Sequence, residues 1–323
     1  CSSNWAQYSV NPRILLAILE YQVGWVTQPQ PDRAAWTFPS DVQANYRLGL
    51  YQQLAWTANN LNRGYYLWRV NAIPGWLLAD GSVVTANASI NAGTAGVQHL
   101  LGKLLGYDEW VGAVNEGGIF SIYSSLFGNP FDASIEPLVP EDLAQPQMQL
   151  PFEPGVIWSF TGGPHGGWGN GSGWAGVDFA PPGEALGCVP SDAWVTAAAD
   201  GIVIRSANGV VVQDLSGDGF EQTGWTILYL HIESRERVAE GSYLKAGDRI
   251  GHPSCEGGFS SGTHVHVARR YNGEWIPADG AIPFILDDWV SKGTGVEYNG
   301  YLIRNGEIVE AWYDRRQENQ ISR

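Results

Sequence analysis

The sequence is short of positive charge, of cysteine, of histidine and of long apolar runs. Its 323 residues carry 18 Lys and Arg against 33 Asp and Glu, a formal net charge of −15. No basic stripe is present to neutralise a phosphate backbone, so no nucleic acid partner is expected. Any anionic polymer would have to be held by short-range contacts rather than by overall charge. No apolar run approaches the roughly 20 residues of a membrane-spanning helix. Charged residues make up only 16% and hydrophobic residues 44%, which excludes a disordered chain. The length predicts two domains, each able to bury a core.

The cysteines are Cys1, Cys188 and Cys255. Cys1-Ser2-Ser3 is how a processed bacterial lipoprotein begins. A lipid on Cys1 is then the one expected route to a membrane; an arbitrary chain start is the bland reading. Cys188 and Cys255 remain as a pair, and a disulfide between them would fit an extracytoplasmic, oxidising compartment. Two free buried thiols are the alternative.

Two textures follow one another along the chain, and together they predict an α+β multidomain protein. Asn11 suits an N-cap, Pro12 a first helical position and Gly24 a helix end. The segment between them is apolar almost all round, which predicts a buried helix. Ser40-Asp41-Val42-Gln43 has capping-box form and predicts a helix to about Asn59, continuing to Val70. Ala92–Leu105 and Gly117–Phe127 are further helical stretches, so residues 1–132 read as an all-α domain containing seven tryptophans. Residues 133–155, broken by Pro137, Pro140, Pro146, Pro151 and Pro154, read as a semi-extended linker. From Val156, short Val/Ile/Thr/Trp runs alternate with Gly, Asn and Asp turns, as in a β domain over 156–290. Asn305-Gly306 predicts a hairpin within a C-terminal extension over 291–323.

Four of the six histidines fall in the β texture's motifs. His264-Val265-His266 lies in a β-branched run, and on a strand residues two apart share a face. His165 lies in the predicted loop Gly162–Gly167, and Asp178 on the strand Gly176-Val177-Asp178-Phe179-Ala180. An aspartate between apolar residues is costly unless it is paired, and a metal, a backbone hydrogen-bond network or exposure would each relieve it. Two histidines and one aspartate, here His165, Asp178 and His266, would leave zinc (Zn2+) an open position for chemistry. The thirteen-residue step from His165 to Asp178 requires the Gly-rich stretch Trp168–Gly173 to fold the two together. His231 and His264 could take a proton from an attacking water and stabilise an oxyanion. Asp214-Leu215-Ser216-Gly217-Asp218-Gly219 begins like a calcium loop, but Trp225 stands where the closing glutamate belongs, which favours a hairpin turn. His252 reads as structural or as part of a groove rim, and His99, beside Leu100 and Leu101, as a surface or packed helix residue.

Residues 150–290 resemble the lysostaphin-type and β-lytic zinc metalloendopeptidases, which cut peptide bonds in bacterial peptidoglycan. The resemblance rests on Ala198-Ala199-Asp200-Gly201-Ile202-Val203, Tyr229-Leu230-His231, Val238–Gly241 with Leu244 and Gly247-Asp248-Arg249-Ile250-Gly251, then His264-Val265-His266, all in the family's order. The long His-to-Asp gap is similar to that of the β-lytic branch. The resemblance implies His165, Asp178 and His266 as zinc ligands, and His231 and His264 as catalytic histidines with His264 the general base. It also implies a mainly antiparallel sheet and peptidoglycan peptides as partners. The helical half faintly resembles lysozyme-like lytic transglycosylases through Asn11-Pro12, Gly24-Trp25 and Ile90–Thr94. Gln22 stands where that family has its catalytic glutamate, so this half is expected to be non-catalytic. The competing expectation is a non-enzymatic envelope scaffold, or a regulator of wall hydrolases, built on a peptidase fold.

Overall fold

The computed structural model describes residues 4–132, 134–135 and 137–323. Cys1, the candidate lipid site, lies outside the described residues. The chain divides into two units: Cys1–Glu136 with Trp168–Ser172, and Pro137–Gly167 with Gly173–Arg323. No described helix is long and apolar enough to cross a membrane.

Among the described residues the first unit holds seven α-helices: α1 (Asn4–Tyr8), α2 (Pro12–Val23), α3 (Arg33–Thr37), α4 (Gly49–Arg69), α5 (Ala92–Leu104), α6 (Tyr107–Val114) and α7 (Ile119–Phe127). A short hairpin, β1 (Gly75–Leu77) with β2 (Val83–Thr85), separates α4 from α5. Helix α2 begins as expected, with Asn11 Oδ1 accepting from Arg13 N at 2.9 Å. It is not buried all round: Leu15, Ala17, Ile18 and Leu19 face the core while Leu16 is 36% exposed. The expected capping box at Ser40 does not form, and the helix starts at Gly49 instead. The cause is Gln53, fully buried on α4. Its Oε1 accepts from Ser40 N and Val42 N, and its amide donates to the carbonyls of Val42 and Arg47. With those groups satisfied by a side chain, residues 40–44 stay out of a helix, and only a single 3₁₀ turn, Asn45–Arg47, precedes α4. Ala58, Leu61, Trp76, Ala95 and Leu100 build the core of this unit.

The second unit is strand-based and antiparallel throughout. Its main sheet runs β17 (Gln320–Ile321), β3 (Trp158–His165), β4 (Gly176–Ala180), β11 (Val265–Tyr271), β8 (Trp225–Leu230), β7 (Val210–Asp214), β6 (Gly201–Ala207), β9 (Tyr243–Leu244). Strand β12 (Glu274–Trp275) pairs with β11, and β5 (Val195–Thr196) with β10 (Arg249–Gly251). A four-stranded sheet follows, from β13 (Ile285–Leu286) through β14 (Trp289–Gly293) and β15 (Gly300–Arg304) to β16 (Glu307–Glu310). Asn305 and Gly306 turn β15 into β16 at φ 51° and 87°, as a two-residue hairpin requires. The C-terminal extension is thus more than a hairpin, since β17 returns to edge the main sheet against β3.

Residues 137–155 differ most from expectation. Met148, Leu150 and Phe152 are buried in the β core, and Phe152 stacks on Trp158 at 5.1 Å. Gln149 N donates to Ala198 O at 2.8 Å, and Leu150 N to Asp287 Oδ2 at 2.9 Å. The prolines do break regular structure here. The apolar side chains between them nevertheless anchor the segment to the β unit, at roughly 1.5–3 kcal/mol for each large one buried.

Candidate metal centre

Three neighbouring strands carry the metal-ligand candidates. In the ladder between β4 and β11, His266 lies directly opposite Asp178. His165 is the last residue of β3 rather than a loop residue, and it pairs with Gly176 on β4. Two glycines make room for these side chains. A Cβ on Gly176 would sit 2.1 Å from His266 Cε1, and one on Gly162 would sit 2.6 Å from Asp178 Oδ2. From sequence, Gly162 was read only as part of a loop and Gly176 only as the start of the Asp178 strand.

His165 Nε2 lies 2.9 Å from His266 Nδ1 and 3.3 Å from Asp178 Oδ1, and His266 Nδ1 lies 3.0 Å from the same oxygen. All three residues are buried. The opposite ring nitrogens are committed: His165 Nδ1 donates to Gly163 O at 2.8 Å and His266 Nε2 to Gly167 O at 3.1 Å. A carbonyl can only accept, so the hydrogens sit on those outer nitrogens and the inner ones present lone pairs. In the neutral rings, two lone pairs and a carboxylate oxygen therefore face one point. Such an arrangement is repulsive without a cation. Tetrahedral zinc, with Zn–N near ~2.0–2.1 Å, would space its ligand atoms by about 3.3 Å, so the donor set fits it in type and size. Backbone carbonyls fixing the tautomer of ligand histidines are the usual outer support of such a centre.

The electrostatics agree. Burial alone would raise Asp178, but His165 and His264 outweigh it and hold the carboxyl well below its ordinary range. Burial opposes charge on His165 too, yet Asp178 beside it raises its pKa on balance, while burial lowers that of His266.

The other two histidines border the same point. Their rings are 4.4 Å apart, and His264 Nε2 lies 3.8 Å from Asp178 Oδ2. His264 precedes β11 rather than lying within it. His231 Nδ1 donates to Glu256 O at 2.8 Å and His264 Nδ1 to Gly262 O at 2.7 Å, which leaves both Nε2 atoms outside these carbonyl bonds. Burial, followed by the neighbouring His264, pushes His231 down to about 3, so its imidazole is neutral at pH 7.

Cys188 and Cys255 are bonded, with Cα atoms 5.7 Å apart. Tyr298 was not foreseen. Its ring stacks on His165 at 4.1 Å and 20°, and its backbone exchanges hydrogen bonds with Gly163 and Pro164. It lies on the turn between β14 and β15, where no local pattern marks it. Burial, then Asp178 and Glu297, push its phenol up to about 12. The calcium-like loop is satisfied internally: Asp214 accepts from Ser216 N at 2.8 Å and Gly219 N at 2.9 Å. His252 is held between Ala193 O and Glu236, outside the cluster.

Residues 172–277 match the model of peptidase family M23, and residues 2–140 match the model of the LasA N-terminal domain. The chain thus carries a peptidase domain of family M23, behind a helical region of the LasA N-terminal type. It is homologous to the protease LasA of Pseudomonas aeruginosa, being 26% identical over 291 residues, which is 85% of this chain and 66% of the relative's length. Among solved structures, pseudoalterin, an M23 metalloprotease from the deep sea, is 26% identical, with 56% of this chain and all of that chain covered at a TM-score of 0.44. The catalytic domain of lysostaphin from Staphylococcus simulans is 21% identical, with 39% and 89% covered at a TM-score of 0.25.

Proposed function

We propose that this protein is a zinc-dependent endopeptidase that hydrolyses peptide bonds in bacterial peptidoglycan outside the cytoplasm. The observation that carries the reading is the convergence of His165 Nε2, Asp178 Oδ1 and His266 Nδ1 on one buried point, with their tautomers set by Gly163 O and Gly167 O. His165, Asp178 and His266 would hold the ion, and zinc supplies Lewis acidity toward a peptide carbonyl and an attacking water. His264 acts as general base: its Nδ1 is tied to Gly262 O, so Nε2 is the atom that takes the proton. Asp178 Oδ2 lies 3.8 Å from that atom. His231 is neutral with its Nδ1 hydrogen donated to Glu256 O, and it orders the water or product groups through Nε2. The disulfide accords with an extracytoplasmic location.

The helical unit is read as non-catalytic. Gln22 cannot serve as a general acid, and the nearby Glu20 is occupied, accepting from Val26 N, Thr27 N and Thr27 Oγ1. Metal analysis of the purified protein, with mass spectrometry of peptidoglycan digests, tests the whole reading. New amino termini within stem or bridge peptides, abolished by chelation, are expected. Stoichiometric zinc with no cleavage of any bridge type would turn the reading to a scaffold.

A further inference from the structure

Three residues, Ser254-Cys255-Glu256, touch both candidate catalytic histidines. Ser254 N and Ser254 Oγ donate to His231 O at 2.7 and 3.0 Å. Glu256 O accepts from His231 Nδ1 at 2.8 Å, so one tripeptide holds both the main chain and the ring. His231 depends on such holding, because its φ of 67° places a residue with a Cβ in the left-handed region. Ser254 also bridges to His264, whose N–H donates to Ser254 O at 3.4 Å. The tripeptide is itself braced through the Glu256 carboxylate, which accepts from Ser234 N at 2.8 Å and Ser234 Oγ at 3.0 Å.

The middle residue, Cys255, is bonded to Cys188, 67 positions earlier in the chain. The residues flanking Cys188 grip the other histidine's neighbour. Gly187 O accepts from Thr263 N at 3.0 Å and Val189 O from Thr263 Oγ1 at 2.5 Å. One sulfur therefore lies next to the groups that orient His231, and the other next to groups that anchor the residue before His264. The three metal-ligand candidates are held differently, by the ladders of β3, β4 and β11 and by Gly163 O and Gly167 O. Cys188 is exposed, so a soluble reductant can reach the bond.

We propose that the Cys188–Cys255 disulfide is the positioning device for His231 and His264, so that its redox state sets turnover independently of metal occupancy. The proposal rests on the endopeptidase reading. Reduction by a phosphine is a balanced step. Phosphorus attacks one sulfur, the S–S bond breaks, and the other cysteine leaves as a thiolate that takes a proton. One water then releases the first cysteine as a thiol and oxidises the phosphine to its oxide. Untethered, the tripeptide no longer fixes the two rings, and a misplacement near 1 Å costs roughly 10²-fold in rate.

The test uses the full chain loaded with one equivalent of zinc: oxidised, reduced with tris(2-carboxyethyl)phosphine, and as Cys188→Ser. Bound zinc, kcat and KM on a peptidoglycan peptide, and the ¹⁵N–¹H imidazole correlations are measured on each. Reduced protein and Cys188→Ser should keep their zinc and lose roughly 10²-fold in kcat, with KM within about twofold. The Nδ1–H signals of His231 and His264 should broaden while those of the ligand histidines persist, and reoxidation should restore wild type. Unchanged kcat with unchanged imidazole signals overturns the proposal. So does zinc lost in step with activity, which would make the bond a general staple. If the oxidised protein cuts no peptidoglycan of any bridge type, the endopeptidase reading fails and the imidazole spectra alone decide, persistence of both signals overturning the proposal.

Discussion

Each unit holds a histidine whose pKa burial depresses, and the two residues have different standing. In the helical unit burial, then Lys103 and Arg63, push His99 down to about 4; it lies edge-on to Trp76, and its Nε2 has no hydrogen-bond partner among the described residues. In the β unit burial pushes His231 down to about 3, but its Nδ1 is committed to Glu256 O and its ring abuts His264. The carboxylates differ in the same way. Glu20 is surrounded by N–H and O–H donors of its own loop, whereas Asp178 faces three imidazoles. Burial and a shifted pKa are thus shared by a packing residue and a site residue. What separates them is whether backbone carbonyls aim the remaining lone pairs at a common point.

The strongest way to break this contrast is to remove an aimed lone pair. Asp178→Ala or His266→Ala should lose the metal and lower peptidoglycan cleavage by more than about 10⁴-fold, since the centre's Lewis acidity goes with it. Stoichiometric metal in either variant by emission spectroscopy would show that the convergence is not a binding site. His264→Ala should keep its metal and lose roughly 10²–10⁴-fold in turnover, as for a lost general base. His231→Ala should lose roughly 10²-fold, as for a lost acceptor that orients the reacting groups. Activity retained in both would remove the mechanism while leaving the metal centre intact.

A smaller effect sharpens the other side. The folded-state pKa of His99, about 4, lies below the ordinary 6.5, so the unfolded chain binds the extra proton first as pH falls. Its contribution is fully present above pH 6.5 and is lost progressively toward pH 4, to the extent of about 3 kcal/mol. Denaturant titrations followed by helical circular dichroism should show this loss in wild type, and a flatter profile in His99→Gln. The smallest expected effect is that of Glu20→Gln. It should cost about 1 kcal/mol of stability, as for a lost cap, and leave peptidoglycan cleavage unchanged. A fall in turnover there would instead give the helical unit a catalytic carboxylate.

Much of the β unit was legible because strand periodicity is local. The runs at 201–204, 210–213 and 225–230 announce strands β6, β7 and β8 through β-branched residues and Gly or Asn turns alone. The helical unit was less legible where a distant side chain intervened. Ser40-Asp41-Val42-Gln43 has every local mark of a helix start, but Gln53 claims its backbone groups. Short elements such as α3 and the β1–β2 hairpin carry too few residues to show a period.

The sequence by itself determined the donor types, the shared orientation implied by His264-Val265-His266, and that two cysteines in one half of the chain were candidates for a bond. Those features depend on consecutive residues, or on a count so small that few alternatives remain. Tertiary structure alone decided that β3, β4 and β11 lie side by side, that Gly163, Gly167, Gly262 and Glu256 present carbonyls to the outer nitrogens, and that Tyr298 covers His165. It also decided that residues 137–155 join the β core instead of serving only as a semi-extended linker. A tautomer is set by whichever carbonyl reaches the ring. For His231 that carbonyl is 25 residues away, and for His266 it is 99, brought there only by the register of the sheet and the loops it carries.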